Sequence, residues 1–242
     1  MQVLVITDNE FFYNNFIDIL KKRDYPDVKF SFCCTPNLGD ELSPLEKRGI
    51  RSIRLKEHIS EIISNYQLLL SLHCKQLFPS EIVRNVRCIN IHPGFNPWNR
   101  GWYPQVFSIL NKFPAGVTIH EIDDMLDHGP IIAQEKIEIF PWETSFDVYT
   151  KIQIKEVECL SRHLDAILSG SYSLSTPISE GNINYKADFE KLCEIDLNKV
   201  QSIQETIDYF RALTFQGYKN AYFYDSSGEK IYLEIKLNRL QE

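Results

Sequence analysis

Short apolar segments alternate with helical segments over the first 92 residues, and this alternation is the strongest constraint on the fold. Apolar runs typical of buried strands occupy residues 3–6, 29–34, 67–72 and 87–91. Asp8 or Asn9 can cap a helix after the first strand, and residues 57–63 favour another helix. Strands that alternate with helices predict an α/β domain with a largely parallel central sheet.

This alternation breaks after His92. Residues 93–104 have the sequence PGFNPWNRGWYP, in which three prolines and two glycines disfavour regular structure. A long irregular loop inside a compact domain is often functional. We therefore expect this loop to carry binding residues.

Regular elements are predicted again beyond the loop. Residues 115–122 favour a strand, and a long helix capped by Thr144 or Ser145 should end at Gly170. The sequence is more polar from about residue 171, with a short helix expected over 203–213 and a β-hairpin turning at Gly228. The length of 242 residues fits one main domain and an appendage, which we place at 1–185 and 186–242.

The charge balance argues against a nucleic-acid partner. The chain has 26 Lys and Arg against 33 Asp and Glu, a net charge of −7, whereas nucleic-acid-binding proteins usually have a basic surplus. No apolar run is long enough for a signal core or a membrane span, so we expect a cytoplasmic protein without membrane contact. The six cysteines contain no C-x-x-C pair, and we expect buried, reduced thiols.

Asn90 and His92 end the fourth predicted strand, at the edge where open α/β sheets bind ligands. Side chains alternate along a strand, so the amide and the imidazole should face the same side. An amide can stabilise a developing oxyanion and an imidazole can transfer a proton, which together suit acyl transfer. The alternative is that His92 is a satisfied structural residue.

Asp127 lies in a second polar segment, directly before His128, Gly129 and Pro130. Asp127 can have a functional role, or it can merely shape an Asx-type turn. The histidines and cysteine at 73, 74, 92, 120 and 128 match no standard zinc spacing. The chain also lacks G-x-G-x-x-G after its first strand, a Walker sequence and a G-x-S-x-G elbow, which disfavours the usual dinucleotide, nucleotide-triphosphate and hydrolase sites.

Two strings resemble the folate-dependent N-formyltransferases, and within them the branch that acts on nucleotide sugars. They are CINIHPGFNPWNRGWYPQVFSI at 88–109 and GVTIHEIDDMLDHGPII at 116–132. The segment SLHCKQLFP at 71–79 is similar to the loop that borders the family's pterin pocket, and the tail at 215–235 is similar to that of the sugar branch. The resemblance implies a Rossmann-like, mostly parallel sheet with flanking helices and a small C-terminal extension that ends in a β-hairpin.

The resemblance also implies the reactants and the site residues. The formyl donor would be N10-formyltetrahydrofolate, and the acceptor would be a dTDP-linked amino-dideoxyhexose, first dTDP-4-amino-4,6-dideoxyglucose and alternatively a C3-amino sugar. The family's catalytic triad falls on Asn90, His92 and Asp127, without a departure. Implied sugar-nucleotide contacts are Asn96, Arg100, Trp102, Tyr103 and Gln105, and implied folate contacts are Lys75, Gln76, Leu77 and Asp123.

Other functions stay open at this point. Methionyl-tRNA formyltransferase shares the triad, but residues 218–242 carry four cationic and four acidic side chains, which suits a phosphate backbone poorly. A catalytically silent nucleotide-sugar binding protein and a metal-dependent hydrolase are the remaining alternatives. The sugar branch further implies a homodimer formed through the tail, and a formamido sugar destined for a surface polysaccharide such as the O-antigen of lipopolysaccharide.

Overall fold

The computed structural model describes residues 1–37, 39 and 41–239 and divides the chain into two compact units. The first unit contains Met1–His92, Val117–Gln134 and Lys155–Ile178. The second contains Pro93–Gly116, Glu135–Ile154 and the chain from Ser179 onwards. Each unit is therefore assembled from separate parts of the sequence. The boundary between residues 185 and 186 stays a prediction.

Within the described residues, seven strands form one sheet in the order β3-β2-β1-β4-β5-β7-β8. The strands are β1 (Gln2–Thr7), β2 (Lys29–Cys34), β3 (Arg51–Ser52), β4 (Leu68–Leu72), β5 (Arg87–His92), β6 (Arg100–Gly101), β7 (Ala115–Glu121), β8 (Ile131–Ile137), β9 (Ile183–Asn184), β10 (Tyr222–Tyr224) and β11 (Lys230–Tyr232). Strands β1 to β5 pair in parallel, whereas β5 and β7 are antiparallel. This mostly parallel sheet confirms the predicted α/β class.

Some of the helices, but not all, begin at a residue whose side chain caps the helix. The helices are α1 (Glu10–Lys22), α2 (Pro44–Lys47), α3 (Ile59–Asn65), α4 (Ser80–Asn85), α5 (Pro104–Asn111), α6 (Ser145–Ser169), α7 (Lys186–Cys193) and α8 (Ile203–Leu213), with a 3₁₀ helix at Leu55–Glu57. Asn9 caps α1, because its side chain accepts a hydrogen bond of 3.0 Å from the Phe12 amide. The long helix α6 stops before Gly170, whose φ of 73° suits a glycine after a helix end.

The central strands are buried along almost their whole length, which explains their continuous apolar runs. Every residue of β4 is buried, and so is β1 after Gln2. One apolar cluster of the first unit consists of Leu4, Ile6, Cys33, Ile53, Leu55, Ile62, Leu69, Ile82, Val86 and Cys88. Each large apolar side chain that is buried contributes roughly 1.5–3 kcal/mol. This packing holds the carboxyl ends of the parallel strands in place.

The sequence patterns did not predict β3, β8, the antiparallel direction of β7 or the short helices α2, α4, α5 and α7. In β8 only Ile131 is buried and most other residues are half-buried, so neither an apolar run nor a clean alternation marks the strand. A strand's direction depends on how the preceding connection crosses the sheet, which apolar patterns do not record.

The second unit contains α8 and the C-terminal hairpin. The predicted hairpin is confirmed, with Tyr222 opposite Tyr232 and a turn at Gly228, whose φ is 84°. Arg211 on α8 is buried, and its charge is satisfied by Asp208 Oδ1 at 2.6 Å and by the Glu143 carbonyl oxygen at 2.7 Å. In the part of the chain that the structure describes, no helix has the length and apolar character needed to cross a membrane.

Candidate active site

The pairing of β5 with β7 builds a polar cluster at the end of β5. Asn90 lies opposite His120 in this register, and His92 lies opposite Thr118. Side chains that are directly opposed in an antiparallel pair share a face of the sheet. Asn90 and His92 share that face as well, because side chains alternate along a strand. The side chains of Asn90, His92 and His120 therefore point to one side, as the sequence predicted for the first two.

Asp127 joins this cluster from the loop that follows β7. Its Oδ1 accepts a hydrogen bond from Asn90 Nδ2 at 2.9 Å, and its Oδ2 lies 3.4 Å from His92 Nδ1. The side chains of His92 and Asp127 are only 4% and 10% exposed. Charges interact more strongly in such surroundings than in water. An amide, an imidazole and a carboxylate thus meet in one largely buried cluster of the first unit.

His120 is a fourth member of the cluster, and sequence analysis considered it only as a metal ligand. Its Nδ1 lies 2.7 Å from the Glu121 carbonyl oxygen, which can only accept, so Nδ1 carries the hydrogen. In the neutral ring Nε2 is then an acceptor, and Asn90 Nδ2 lies 3.3 Å from it. Asn90 therefore directs its two amide hydrogens to Asp127 and His120, which fixes the plane of the amide. The signal for His120 is its register opposite Asn90, which requires knowledge of the strand pairing.

The loop of residues 122–130 holds Asp127 in an uncommon backbone conformation. Its φ is 47°, in the left-handed region that Asp tolerates better than most residues. Gly129 lets the loop pass close to β7, because a Cβ there would lie 1.9 Å from the Glu121 carbonyl oxygen. Asp127 therefore does both: its backbone shapes the turn, and its carboxylate contacts the polar cluster.

Three of the residues implied in folate binding follow β4. The Lys75 amide donates to Asp8 Oδ2 at 2.7 Å, while the Lys75 side chain is exposed, as is Leu77 at 76%. The Gln76 side chain donates to the Ile53 carbonyl and accepts from the Leu55 amide, both at 2.9 Å. Gln76 therefore ties this loop to the segment after β3, and a folate contact of these residues stays a prediction.

Asp123, the fourth residue implied in folate binding, is engaged within its own loop. Its Oδ1 accepts from the Met125 amide at 2.9 Å, and its Oδ2 lies 2.7 Å from His128 Nδ1. These contacts order the segment that precedes Asp127. A direct role of Asp123 toward folate stays a prediction too.

The residues implied in sugar-nucleotide binding all lie in the second unit. Asn96 and Gln105 are 3% and 4% exposed, and Trp102 is 38% exposed. Arg100, on β6, is 9% exposed, and its Nε has no hydrogen-bond partner among the described residues. A buried guanidinium nitrogen in this state is costly unless an anion or another acceptor satisfies it. Tyr103 stacks on Phe189 with ring centroids 4.1 Å apart, so its ring also packs within the unit.

A second buried polar pair lies outside this cluster. His73, with φ of 60°, begins the loop after β4, and its Nε2 lies 2.8 Å from Glu156 Oε2 on α6. Burial raises the pKa of Glu156, and the neighbouring His73 opposes part of that shift. The pair anchors the start of the loop to α6.

Neither thiol nor metal chemistry is indicated near these loops. Burial raises the pKa of Cys74 to about 12 and that of Cys34 to about 11, so both thiols are protonated at neutral pH and poorly nucleophilic. Among residues 1–37, 39 and 41–239, no group of three or more His, Cys, Asp or Glu side chains is arranged to hold a metal ion.

Comparison of the sequence with protein-family models shows which family this protein belongs to. The family model described as "Formyl transferase" matches residues 36–164, which is more than half of the chain. A second model, described as "N-formyltransferase dimerization C-terminal domain", matches residues 188–239. The protein belongs to the formyltransferase family, and the enzyme class expected from the sequence is confirmed.

Individual relatives are similar over the full length. A dTDP-4-amino-4,6-dideoxyglucose formyltransferase from Mycobacterium tuberculosis is 42% identical over 238 residues, covering 98% of this chain and 97% of that protein. The crystal structure of a 4-N formyltransferase from Francisella tularensis has a TM-score of 0.93 and 43% identity, covering 99% of this chain and 98% of that chain. A sugar N-formyltransferase from a Shewanella species has a TM-score of 0.95 and 37% identity, covering 100% and 99%.

Proposed function

We propose that the protein transfers the formyl group of N10-formyltetrahydrofolate to the C4 amine of dTDP-4-amino-4,6-dideoxyglucose. The observation that carries this proposal is the meeting of Asn90, His92 and Asp127 in one largely buried cluster. Formyl transfer requires a hydrogen-bond donor that stabilises the oxyanion, next to a group that accepts a proton. The cluster supplies both. The full-length likeness to the M. tuberculosis enzyme supports the choice of sugar.

The reaction makes a bond between the sugar nitrogen and the formyl carbon and breaks the bond between that carbon and N10 of the folate. The amine must be neutral in order to attack. Attack places negative charge on the formyl oxygen and positive charge on the nitrogen. The nitrogen then loses a proton, and N10 gains one as it leaves. The protein therefore has to move one proton and stabilise one oxyanion.

His92 is suited to move the proton. Asp127 Oδ2 lies 3.4 Å from His92 Nδ1 and favours a hydrogen on that nitrogen, which makes Nε2 the basic position of the neutral ring. Nε2 accepts the proton of the amine, and the Asp127 carboxylate stabilises the resulting imidazolium. Donation of that proton to N10 restores the neutral ring.

Asn90 is suited to stabilise the oxyanion. Its Nδ2 makes a 2.9 Å hydrogen bond to Asp127 and a longer contact of 3.3 Å with His120. The longer contact is the weaker one. We infer that the formyl oxygen takes over this hydrogen as it becomes negative. One such donor typically contributes about 100- to 1000-fold in rate.

Arg100 is proposed to hold the diphosphate of the nucleotide sugar. Its guanidinium is planar and suited to phosphate oxygens, and its buried Nε lacks a hydrogen-bond partner within the described residues. Calorimetric titration of dTDP should show weaker binding to Arg100→Ala than to the wild-type protein. Unchanged affinity would remove Arg100 from the diphosphate site.

The acceptor is tested by a panel of dTDP-linked sugars that carry the amine at C4 or at C3, each with N10-formyltetrahydrofolate. We expect the highest kcat/KM for dTDP-4-amino-4,6-dideoxyglucose, with a formamido sugar as product. A preference for a C3 amine would change the assigned acceptor sugar and leave the proposed reaction unchanged. Formylation of methionyl-tRNA alone would reject the proposal, although the balanced charge of residues 218–242 disfavours that substrate.

We also propose a homodimer formed through the C-terminal hairpin. The match of residues 188–239 to a dimerization domain supports it. Tyr224, Ile231 and Tyr232 of the hairpin are 47%, 38% and 44% exposed, and aromatic residues are enriched in protein interfaces. Light scattering should give twice the monomer mass, and a monomer mass at micromolar concentration would contradict the dimer.

We place the reaction in the cytoplasm, where charged folates and nucleotide sugars are found. The formamido sugar is proposed to supply a surface polysaccharide, such as the O-antigen of lipopolysaccharide. Deletion of the gene should remove formamido sugar from the surface glycan of the source organism. An unchanged glycan would reject this destination without affecting the reaction.

A further inference from the structure

A network of asparagine amides holds the loop that contains Arg100, in the second unit. Asn99 is at its centre and is 0% exposed. The other members are Asn111, which ends α5, Asn182, which directly precedes β9, and Asn184 in β9. We call these four asparagines the asparagine clamp. The formyl-transfer steps described above use none of them.

The side-chain amide of Asn99 uses its whole hydrogen-bonding capacity inside the protein. Its Nδ2 donates to Ser108 Oγ at 2.9 Å and to Asn111 Oδ1 at 3.3 Å. Its Oδ1 accepts from Asn111 Nδ2 at 2.6 Å and from Asn182 Nδ2 at 3.0 Å, and Asn184 Nδ2 lies at a longer 3.4 Å. A side-chain amide has two donor hydrogens and two acceptor lone pairs. Asn99 therefore has no polar group left for a ligand, and its amide orders the residues around it.

The backbone of Asn99 is held as firmly as its side chain. Its φ of 54° lies in the left-handed region, which Asn tolerates better than most residues. Its backbone amide donates to Asn182 Oδ1 at 2.9 Å. Adjacent residues share a planar peptide unit, so the conformation of Asn99 sets the direction in which the Arg100 side chain leaves the backbone.

The segment around β9 also binds the backbone of the loop directly. Strands β6 and β9 pair in parallel, with Arg100 aligned with Ile183. The Arg100 amide donates to the Asn182 carbonyl oxygen at 3.1 Å, and the Trp102 amide donates to the Asn184 carbonyl oxygen at 2.9 Å. Two members of the clamp thus contact the loop through both backbone and side chain, which fixes the main chain at Arg100.

The guanidinium of Arg100 contrasts with this saturated network. The residue is 9% exposed, and its Nε has no hydrogen-bond partner among the described residues. A buried charged donor in this state is suited to a ligand that brings acceptor oxygens. A side chain that the protein has already ordered binds such a ligand more tightly, because binding then costs less conformational entropy.

We propose that the asparagine clamp positions Arg100 for the diphosphate of the nucleotide sugar, so that affinity for dTDP depends on the clamp as well as on Arg100. This inference rests on the proposed function, which places the diphosphate at Arg100. Asn99 and Asn182 are positioning residues in this account, and Arg100 is the residue that binds. Loss of one clamp contact should misplace the guanidinium and weaken dTDP binding roughly three- to ten-fold. The predicted folate contacts lie in the first unit, so folate affinity should stay the same.

The test is a double-variant cycle measured by calorimetric titration of dTDP. Asn182→Ala removes the side chain that bonds both the backbone amide and the Oδ1 of Asn99, and it should weaken dTDP binding. In Arg100→Ala the same change should have no further effect, because the clamp acts through the guanidinium. Asn220→Ala is the matched control and should bind dTDP like the wild type. Asn220 is also a half-buried asparagine of the second unit, and its Nδ2 donates to the Leu213 carbonyl oxygen at 2.9 Å.

Asn99→Gly is a second variant, which keeps the left-handed backbone and removes every side-chain contact of Asn99. Its KM for the nucleotide sugar should rise at least as much as that of Asn182→Ala. Its kcat at saturating sugar and its affinity for 5-formyltetrahydrofolate should stay within about two-fold of the wild-type values. Equal losses of dTDP and folate affinity in both variants would show a purely structural role and overturn the inference.

Wild-type dTDP affinity in Asn182→Ala, together with weaker binding to Arg100→Ala, would overturn the inference and leave the proposed function standing. An undiminished effect of Asn182→Ala in the Arg100→Ala background would do the same. Unchanged affinity in Arg100→Ala alone would refute both the diphosphate contact and the inference that rests on it. The titrations need no transfer, so a non-additive cycle without formylation of any sugar would support the inference and refute the proposed reaction alone.

Discussion

Asn90 donates both of its amide hydrogens within its own cluster, so its part in catalysis requires an exchange of partners. Asp127 accepts one hydrogen at 2.9 Å, and His120 faces the other at 3.3 Å. The two acceptors fix the amide in a plane before substrate arrives. The oxyanion can therefore take over the hydrogen that faces His120 while the amide itself stays in place.

Asp127→Asn tests the carboxylate without disturbing the loop. Asn also tolerates a φ of 47°, so the backbone should be retained. The variant loses the charge that stabilises the imidazolium of His92, and we expect kcat to fall by about 100- to 10,000-fold. Steady-state kinetics measures kcat, and circular dichroism checks that the fold is retained. Asp124→Asn is the control, since its exposed carboxylate lies 3.4 Å from Arg84; an equal loss in both variants would contradict the assignment.

His120 is expected to act by orienting Asn90. His120→Leu removes the acceptor, whereas His120→Gln keeps a polar atom near the position of Nε2. We expect kcat to fall by about 10-fold in the Leu variant, the effect of one lost hydrogen bond of roughly 1.4 kcal/mol. KM for the nucleotide sugar should change little, and Gln should restore part of kcat. Equal kcat in both variants, close to that of the wild type, would show that His120 only packs.

At the scale of helices, strands and loops, the loop after β7 brings the Asp127 carboxylate to the cluster. The antiparallel pairing of β5 and β7 sets Asn90 opposite His120, and the loop then returns Asp127 to the same face. The close passage of Gly129 beside the Glu121 carbonyl oxygen permits this return. The geometry of the cluster therefore depends on one loop as much as on the sheet.

Gly129→Ala should separate the loop from β7. The added Cβ would meet the Glu121 carbonyl oxygen at 1.9 Å, so the backbone must shift and carry Asp127 with it. We expect a loss of at least 100-fold in kcat and a destabilisation of about 1–3 kcal/mol, measured by kinetics and urea unfolding. Gly39→Ala, whose Cβ would have its nearest contact at 3.8 Å, should be nearly neutral. Full activity of the Gly129 variant would contradict this account of the loop.

The elements that the sequence predicted best are those whose pattern is local. Lys29–Cys34 and Ile203–Leu213 have the bounds expected from their apolar spacing and caps. The strand β8 was missed because most of its residues are only half-buried. His120 was missed as a partner of Asn90 because its role arises from strand register, which local periodicity does not encode.

At the scale of the whole molecule, two strings of sequence are enough to predict the family. The contacts between distant residues, in contrast, are seen only in the fold. The triad residues lie up to 37 positions apart, and only the folded chain brings Asn90 Nδ2 to Asp127 Oδ1.

The packing of the molecule predicts slow thiol chemistry. Burial raises the pKa of Cys34 to about 11 and the pKa values of Cys74 and Cys88 to about 12. At pH 8 a thiol with a pKa of 11 is ionised in only about one molecule in a thousand, and ionisation increases as the pH rises. A disulfide reagent should therefore label the native protein slowly at pH 8, faster at pH 10, and at once in denaturant. Rapid labelling of Cys34, Cys74 or Cys88 in the native protein at pH 8 would contradict the burial of these thiols.

A rapid-quench measurement decides whether the amide, imidazole and carboxylate of this cluster transfer the formyl group. Enzyme in excess of N10-formyltetrahydrofolate is mixed with saturating dTDP-4-amino-4,6-dideoxyglucose, and the formamido sugar is quantified over time. His92→Ala should slow the transfer step by about 100- to 10,000-fold while dTDP affinity stays within a few-fold of the wild-type value. Transfer by His92→Ala at nearly the wild-type rate would show that the cluster does not carry the reaction.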